Sequence, residues 1–218
     1  MNHLILTNRH HVLMYDDVFE GIYLNIHIII TPPYIFVIDS GLGAQTAQDI
    51  NHIIHEYGNN QPIILINSHA HWDHVWGNAF IDSAWIVSHK RCLEVLKSDL
   101  VHDYETHKTY ARGAVIPKYP NLTFDQTLIF EEAGIELGFA PGHTDNDIYV
   151  YDHFDHILNV GDNIGDTVEE CIPYLETSQE IYVQSIKRYQ SYDVKWVVSG
   201  HNEVVDASMF DKILDQLK

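Results

Sequence analysis

Apolar side chains dominate residues 11–38 in runs that are typical of β-strands. The runs are short and either alternate with polar residues or continue without a charge, and turn residues at Asp16–Asp17 and Thr31–Pro33 separate them. The pattern therefore predicts that the chain opens with a meander of strands. The predicted strands are HVLMY (11–15), GIYLNIHIII (21–30) and YIFVI (34–38).

The middle of the chain alternates between strand and helix patterns. Apolar positions between residues 47 and 57 recur at helical spacing, whereas PIILIN (62–67) and WIVSH (85–89) are short buried-strand patterns. A short helix is predicted for residues 90–97. Residues 99–121 show little periodicity but contain many aromatic and histidine side chains, and we expect a long loop there that covers a site.

The second half repeats the order of strands followed by helices. Thr177 and Glu180 are spaced as a capping box before a helix over 181–189, and a second amphipathic helix is predicted over 210–217. A strands-then-helix pattern that occurs twice predicts two sheets packed face to face with helices outside. The predicted strands are TLIFEE (127–132), IELGFAPG (135–142), IYVYD (148–152), HILNVGD (156–162) and VKWVVSG (194–200).

Composition narrows the class of protein. A chain of 218 residues with 45% hydrophobic content and no linker-like segment predicts one domain over 1–218. The net charge of −19 argues against a nucleic-acid partner. The N-terminus has no secretion signal and no apolar run is long enough to span a bilayer, so we expect a cytoplasmic protein without a membrane partner.

The segment NSHAHWDHVWGN (67–78) concentrates side chains that bind metals. His69 and His71 are two residues apart, so on extended backbone their side chains leave the same side and can converge on one ion. Asp73 and His74 follow where the chain turns and could face a second ion. The two cysteines are far apart and outside any CxxC motif, so nitrogen and oxygen atoms are the expected ligands.

Three further candidate ligands stand at the ends of later predicted strands. His143, Asp162 and His201 each directly follow a glycine, which lets the backbone turn tightly beside a ligand. Five histidines and two carboxylates at strand-to-loop junctions suit two divalent ions that share one carboxylate.

These motifs identify a family. Asp39 in VIDSGLG, HAHWDH at 69–74, His143 in PGHT, Asp162 in NVGD and His201 in SGH resemble, in order and spacing, the five motifs of the metallo-β-lactamase superfamily. The resemblance implies an α/β fold, a four-layer αββα sandwich, with a dinuclear zinc site. It further implies a set of roles for the motif residues. His69, His71 and His143 would hold the first metal, Asp73, His74 and His201 the second, Asp162 would bridge them, and Asp39 would orient ligands.

The resemblance also implies hydrolysis. Zinc lowers the pKa of bound water from ~15.7 to ~7, so that hydroxide is available at neutral pH, and Asp73 would aim it at the substrate. We expect a small-molecule substrate, an ester, lactone or thioester, as in the glyoxalase II and lactonase branches. Quorum-signal lactonases carry a tyrosine where this chain has Gly165, so the branch is not matched at every position.

Several alternatives stay open at this stage. A persulfide dioxygenase-like oxidoreductase would use one iron, a zinc β-lactamase-like enzyme would open a lactam ring, and one or two iron or manganese ions could replace zinc. Asp39 could instead only cap its turn. Trp72, Trp76 and Tyr104 are candidates for the substrate pocket, although tryptophans are also common packing residues. A homo-oligomer is possible, because the sequence does not identify an interface.

Overall fold

The computed structural model describes all 218 residues, which fold as two compact units. The first unit comprises Met1–Tyr15 and Ile26–Asp125, and the second comprises Asp16–Asn25 and Gln126–Lys218. The strands β1 to β12 are Asn2–Ile5, His10–Phe19, Ile22–Ile30, Ile35–Ile38, Ile63–Ile66, Trp85–His89, Leu122–Phe124, Thr127–Phe130, Ile135–Phe139, Ile148–Asp152, Ile157–Asn159 and Trp196–Val198. The helices α1 to α5 are Ala44–Tyr57, Trp72–Val75, Lys90–His107, Gln179–Tyr189 and Ser208–Gln216.

A seven-stranded sheet contains β1 to β7 in sequence order. β1 pairs antiparallel with β2, and β3 with β4, whereas β4, β5, β6 and β7 are joined by parallel pairing. β4 (IFVI) and β5 (IILI) consist only of apolar residues and are almost entirely buried, as expected for central strands covered on both faces. Parallel pairing places the carboxyl ends of β4 and β5 at the same edge of the sheet.

Two long helices cover apolar surface in the first unit. α1 buries Ala47, Ile50 and Ile53, and α3 buries Cys92, Leu96 and Leu100, so each helix presents an apolar stripe to the interior. Neither of these helices, nor any other helix of the chain, has both the length and the apolar character needed to traverse a bilayer.

The second unit contains a five-stranded sheet in the order β12-β11-β10-β9-β8. β9 and β11 each pair antiparallel with β10, and β11 pairs parallel with β12, so β9, β11 and β12 run in one direction. α4 and α5 contribute Tyr182, Ile186, Tyr189, Phe210 and Ile213 to the core of this unit. Burial of such large aliphatic and aromatic side chains is the main source of its stability.

The structure differs from the sequence-based prediction in several elements. The turn predicted at Asp16–Asp17 is wrong, because β2 continues through both residues to Phe19, and the short elements β7 and α2 were not predicted. α3 continues to His107 and is followed by a 3-10 turn at Lys108–Tyr110, so the first part of the expected loop over 99–121 is helical. α4 is capped by Ser178, whose hydroxyl accepts a hydrogen bond from the Ile181 amide, and not by Thr177. β1 was not predicted, because NHLI is too short and too polar to give a strand signal.

Candidate metal centre

In the first unit, the histidine-rich segment leaves the carboxyl end of β5. His69 is fully buried, His71 is the residue that precedes the single turn of α2, and Asp73 and His74 lie within that turn. The imidazole centroid of His69 lies 4.6 Å from that of His71 and 4.3 Å from that of His74. The tight turn therefore brings the three imidazoles of HAHWDH into one cluster.

Asp39 anchors this cluster from the carboxyl end of β4. Its Oδ1 accepts a hydrogen bond from the Ser68 amide at 2.8 Å, and its Oδ2 accepts from the Ser68 hydroxyl at 2.7 Å and from His74 Nδ1 at 2.9 Å. Asp39 has a left-handed backbone conformation with φ 67°, which costs energy in most residues and is better tolerated by aspartate. The carboxylate thus orients Ser68 and His74 through hydrogen bonds, so Asp39 does not only cap its turn.

Ser68 extends the same arrangement to His69. Its hydroxyl donates to Asp39 and lies 3.0 Å from His69 Nδ1, so the hydroxyl oxygen is left to accept a hydrogen bond from that nitrogen. His69 and His74 therefore both have Nδ1 in a hydrogen bond, and Nε2 is the atom of each that would bind a metal. Asp73 Oδ2 lies 3.6 Å from His74 Nε2.

In the second unit, the three candidate ligands follow the three strands that run in one direction. His143 follows β9, Asp162 follows β11 and His201 follows β12. His201 Nε2 lies 3.3 Å from Asp162 Oδ2, and His143 Nε2 lies 3.9 Å from the same oxygen. One carboxylate oxygen is therefore placed between two imidazole nitrogens.

Backbone carbonyls orient both of these imidazoles. His143 Nδ1 lies 2.7 Å from the carbonyl oxygen of Tyr174, and His201 Nδ1 lies 2.8 Å from that of Tyr23. A carbonyl oxygen can only accept, so each Nδ1 carries a proton and each Nε2 is the atom that would bind a metal.

Asn25 fixes the turn that carries His201. Its side-chain amide donates to the carbonyl oxygens of Ser199 at 2.9 Å and Asn202 at 2.7 Å, and its backbone amide donates to Gly200 at 2.7 Å. Asn25 is 3% exposed, so these bonds are made away from water. The residue was not predicted to have a role, but a buried asparagine inside an otherwise apolar strand was the available signal.

Asn163 has the corresponding position beside His143. Its Oδ1 accepts a hydrogen bond from the His143 amide at 2.8 Å, and its Nδ2 donates to Ala140 and Tyr189. Gly142 makes this approach possible, because a Cβ at position 142 would overlap Asn163 Oδ1 and come within 2.8 Å of Tyr182. The glycine before His143 thus serves close packing against Asn163 and Tyr182, whereas the sequence pattern suggested a tight turn beside a ligand.

The donor sets fit a divalent metal. His69 and His71, Asp73 and His74, and His143 and Asp162 each bring ligand atoms within 4.8 Å of one another. Two ligands on one tetrahedral zinc are about 3.3 Å apart, given zinc–nitrogen and zinc–oxygen bonds of about 2.0 Å. The distance of 3.3 Å between His201 Nε2 and Asp162 Oδ2 is close to that value. The chain therefore contains His/Asp groups that could hold metal ions.

Aromatic side chains surround the turn of α2. Trp76 is 1% exposed and belongs to the interior, whereas Trp72 and Tyr104 are partly exposed. The Trp72 ring stacks on His107, and the Trp76 ring contacts Tyr104 edge-on. Of the three residues suggested for a substrate pocket, Trp72 and Tyr104 therefore have surface to offer and Trp76 has almost none.

A family model describes most of the chain. The model of the metallo-beta-lactamase superfamily matches residues 25–201, and this protein belongs to that superfamily. Most of its members are metal-dependent hydrolases. The matched region begins at Asn25 and ends at His201, and so includes all seven candidate ligands.

Solved structures share the fold. The DIM-1 metallo-beta-lactamase exposed to ceftazidime has a TM-score of 0.76 at 14% identity, with 100% of this chain and 97% of that chain covered. Metallo-beta-lactamases from Pontibacter korlensis and Hirschia baltica both have TM-scores of 0.72, at 19% and 16% identity. The comparison covers 99% and 96% of this chain, and 98% and 94% of theirs. The predicted fold class, α/β of the metallo-β-lactamase type, is confirmed, and likeness at this identity extends to the fold alone.

Proposed function

We propose that this protein is a metal-dependent hydrolase with a dinuclear zinc centre. In this proposal His69, His71 and His143 would hold one ion, Asp73, His74 and His201 would hold the other, and Asp162 would be shared. Membership of the superfamily supports the proposal, and so does the presence of a histidine or an aspartate at each of the seven motif positions.

One observation carries the proposal furthest. Four of the five candidate histidines have Nδ1 within hydrogen-bond distance of an oxygen atom. Histidines that only stabilise a fold need not all use the same ring nitrogen in a hydrogen bond. A histidine that binds a metal through Nε2 needs Nδ1 protonated and held by an acceptor, so that the ring is oriented towards the ion. The four pairs are His69 with Ser68, His74 with Asp39, His143 with Tyr174 and His201 with Tyr23.

The chemistry follows from the metal and from Asp73. Bound zinc would make hydroxide available near neutral pH and polarise the carbonyl oxygen under attack. Asp73 is 6% exposed and its Oδ2 lies 3.6 Å from His74 Nε2, which supports a role in accepting a hydrogen bond from the attacking water. The same oxygen can return the proton to the leaving group.

The substrate class proposed is a small ester, lactone or thioester, as in the glyoxalase II and lactonase branches. Asp162 supports this choice, because an aspartate shared by two ions is a feature of those branches. Opening of a β-lactam ring is the second candidate, and the similarity in fold to solved metallo-beta-lactamases favours it. A mononuclear iron enzyme of the persulfide dioxygenase type is the third.

The test combines metal content with activity. Protein purified without added metal is analysed for zinc, iron and manganese, then assayed against matched esters, lactones, thioesters and a β-lactam. Close to two zinc ions per chain and turnover of at least one of the esters, lactones and thioesters are expected. Asp73→Ala should lower kcat at least a hundredfold, the usual contribution of general acid–base catalysis being about 10²–10⁴.

A matched variant separates this effect from a general loss of charge. Asp82→Ala changes an exposed aspartate of the same unit and should retain wild-type turnover. About one iron per chain with oxygen uptake in the presence of a persulfide would overturn the hydrolase proposal. Turnover of the β-lactam alone would overturn the substrate class.

A further inference from the structure

The end of α3 lies against the tryptophan between two candidate ligands. The Trp72 and His107 rings are stacked, with centroids 4.7 Å apart and an angle of 7° between their planes. Tyr110, from the 3-10 turn after α3, lies 5.3 Å from Trp72. Since Trp72 stands between His71 and Asp73 in the sequence, this stack adjoins the candidate metal ligands of the first unit.

Asp103 adds a negative charge to the same surface. It is four residues before His107, so both side chains lie on one face of α3. The carboxylate interacts electrostatically with the like-charged Asp99, and also with His71 and His107. The nearest lysine in the sequence, Lys108, is engaged by Glu105 at 2.7 Å, so no free positive charge from this turn balances Asp103.

Exposure distinguishes this surface from ordinary packing. Trp76 has only 1% of its surface exposed, but Trp72, Asp103 and His107 are only partly buried, and Tyr110 is 42% exposed. We call Trp72, Asp103, His107 and Tyr110 the aromatic wall. It offers ring surface and one carboxylate to solvent beside His71, a combination suited to planar groups that are neutral or positively charged.

We propose that the aromatic wall selects the substrate: it binds a planar unsaturated group next to the bond that is cleaved and disfavours substrates with an anionic group there. The inference rests on the proposed function in one respect, that His71 is a metal ligand. Among the proposed esters, lactones and thioesters, it favours those that carry a planar unsaturated group with no charge or a positive charge.

Binding of simple ring compounds tests the proposal without turnover. Dissociation constants for benzamide, cyclohexanecarboxamide, benzyltrimethylammonium and benzenesulfonate are measured by NMR titration of the protein as purified. Benzamide should bind about twofold to tenfold more tightly than its saturated counterpart, the range that one aromatic contact provides. The cation should bind about twofold to fivefold more tightly than benzamide, and the sulfonate more weakly.

Two variants assign these preferences to the wall. Asp103→Asn should weaken the preference for the cation over the neutral compound and the anion, since Asp99 remains, but should keep the preference for benzamide over the saturated amide. His107→Ala should reduce that preference, and His107→Phe should restore it, because a ring is returned to the stack. Lys97→Ala, an exposed position on the same helix, is the control and should bind like the wild type.

The outcomes separate this inference from the hydrolase proposal. Equal binding of benzamide and cyclohexanecarboxamide, or unchanged preferences in His107→Ala and Asp103→Asn, would overturn the role of the wall even in an active enzyme. If the binding preferences hold in a protein that hydrolyses none of the substrates, the aromatic wall is a binding surface as proposed, and only the hydrolase proposal is overturned.

Discussion

Asp39 and His74 are 35 residues apart in the sequence, and their side chains meet at 2.9 Å between Oδ2 and Nδ1. Both side chains are almost completely buried. Parallel pairing of β4 with β5 produces this contact, because it brings the carboxyl ends of the two strands together. The relationship fixes the ring of His74 before any metal binds.

Replacing Asp39 should therefore weaken metal binding. Asp39→Ala removes the partner of His74 Nδ1 and of the Ser68 hydroxyl, and loss of such a partner typically costs about 10- to 100-fold in metal affinity. The measurement is competition for zinc with a chromophoric chelator. Asp49→Ala, which removes the acceptor of the Tyr15 hydroxyl in the same unit, is the matched control. Wild-type zinc affinity in folded Asp39→Ala would contradict the assigned role.

Asn25 leads to a second prediction about metal binding. Asn25→Ala leaves two buried carbonyl oxygens, those of Ser199 and Asn202, without their donor. A destabilisation of about 1–3 kcal/mol is expected from such groups. Because the turn carrying His201 loses its support, the number of zinc ions retained after dialysis should also fall.

The control for Asn25 is Asn51→Ala, which removes a single side-chain hydrogen bond to the carbonyl of Phe80. It should lower stability without changing the zinc content. If Asn25→Ala loses stability but keeps as much zinc as Asn51→Ala, Asn25 is a structural residue only.

The sequence predicted the strands well wherever apolar runs were bounded by turn residues. β4, β5, β6 and β10 lie where the pattern indicated, because buried strands need continuous apolar residues and their ends need turns. α3 was predicted too short. Its second half is rich in polar and aromatic residues, and tertiary contacts of Tyr104 and His107 with the tryptophans compensate for weak helical periodicity.

The candidate ligands could be predicted because four of them are close together in the sequence and the other three each directly follow a glycine. The residues that orient them could not, since their partners are distant in the sequence. Tyr23 and Tyr174 contribute backbone carbonyls, which leave no trace in residue identity. Asn25 reaches its partners across 174 and 177 residues, a pairing that one sequence does not reveal.

Gly142 provides a prediction about packing. Gly142→Ala should destabilise the protein by about 1–3 kcal/mol, the usual cost of forcing an extra methyl group into a packed site. The added methyl group would overlap Asn163, which holds the His143 amide, so zinc retention should fall with stability. Gly113→Ala in the other unit, where φ is 83°, should cost stability through backbone strain but leave zinc content unchanged. Wild-type stability of Gly142→Ala would show that the site can expand.

The last prediction concerns stability and pH, and it depends on histidines outside the candidate metal centre. His3 Nε2 lies 3.0 Å from His11 Nδ1, and His10 Nδ1 lies 3.0 Å from His27 Nε2. Burial, together with the charges of His3 and His10, lowers the pKa of His11 from 6.5 to about 4. Burial also lowers the pKa of His27 well below 6.5.

The sign of the effect follows from proton binding. Between pH 6.5 and about 4 the unfolded chain binds protons at His11 and His27 and the folded chain does not, so the free energy of unfolding should decrease as the pH falls. Urea unfolding measured between pH 5 and 7 should show this slope in the wild type. His11→Gln removes one of the groups and should make the slope shallower. His52→Gln, at a side chain that is 75% exposed, should retain the wild-type slope. Equal slopes in His11→Gln and the wild type would mean that His11 is protonated in the folded protein, which its burial beside two other imidazoles opposes.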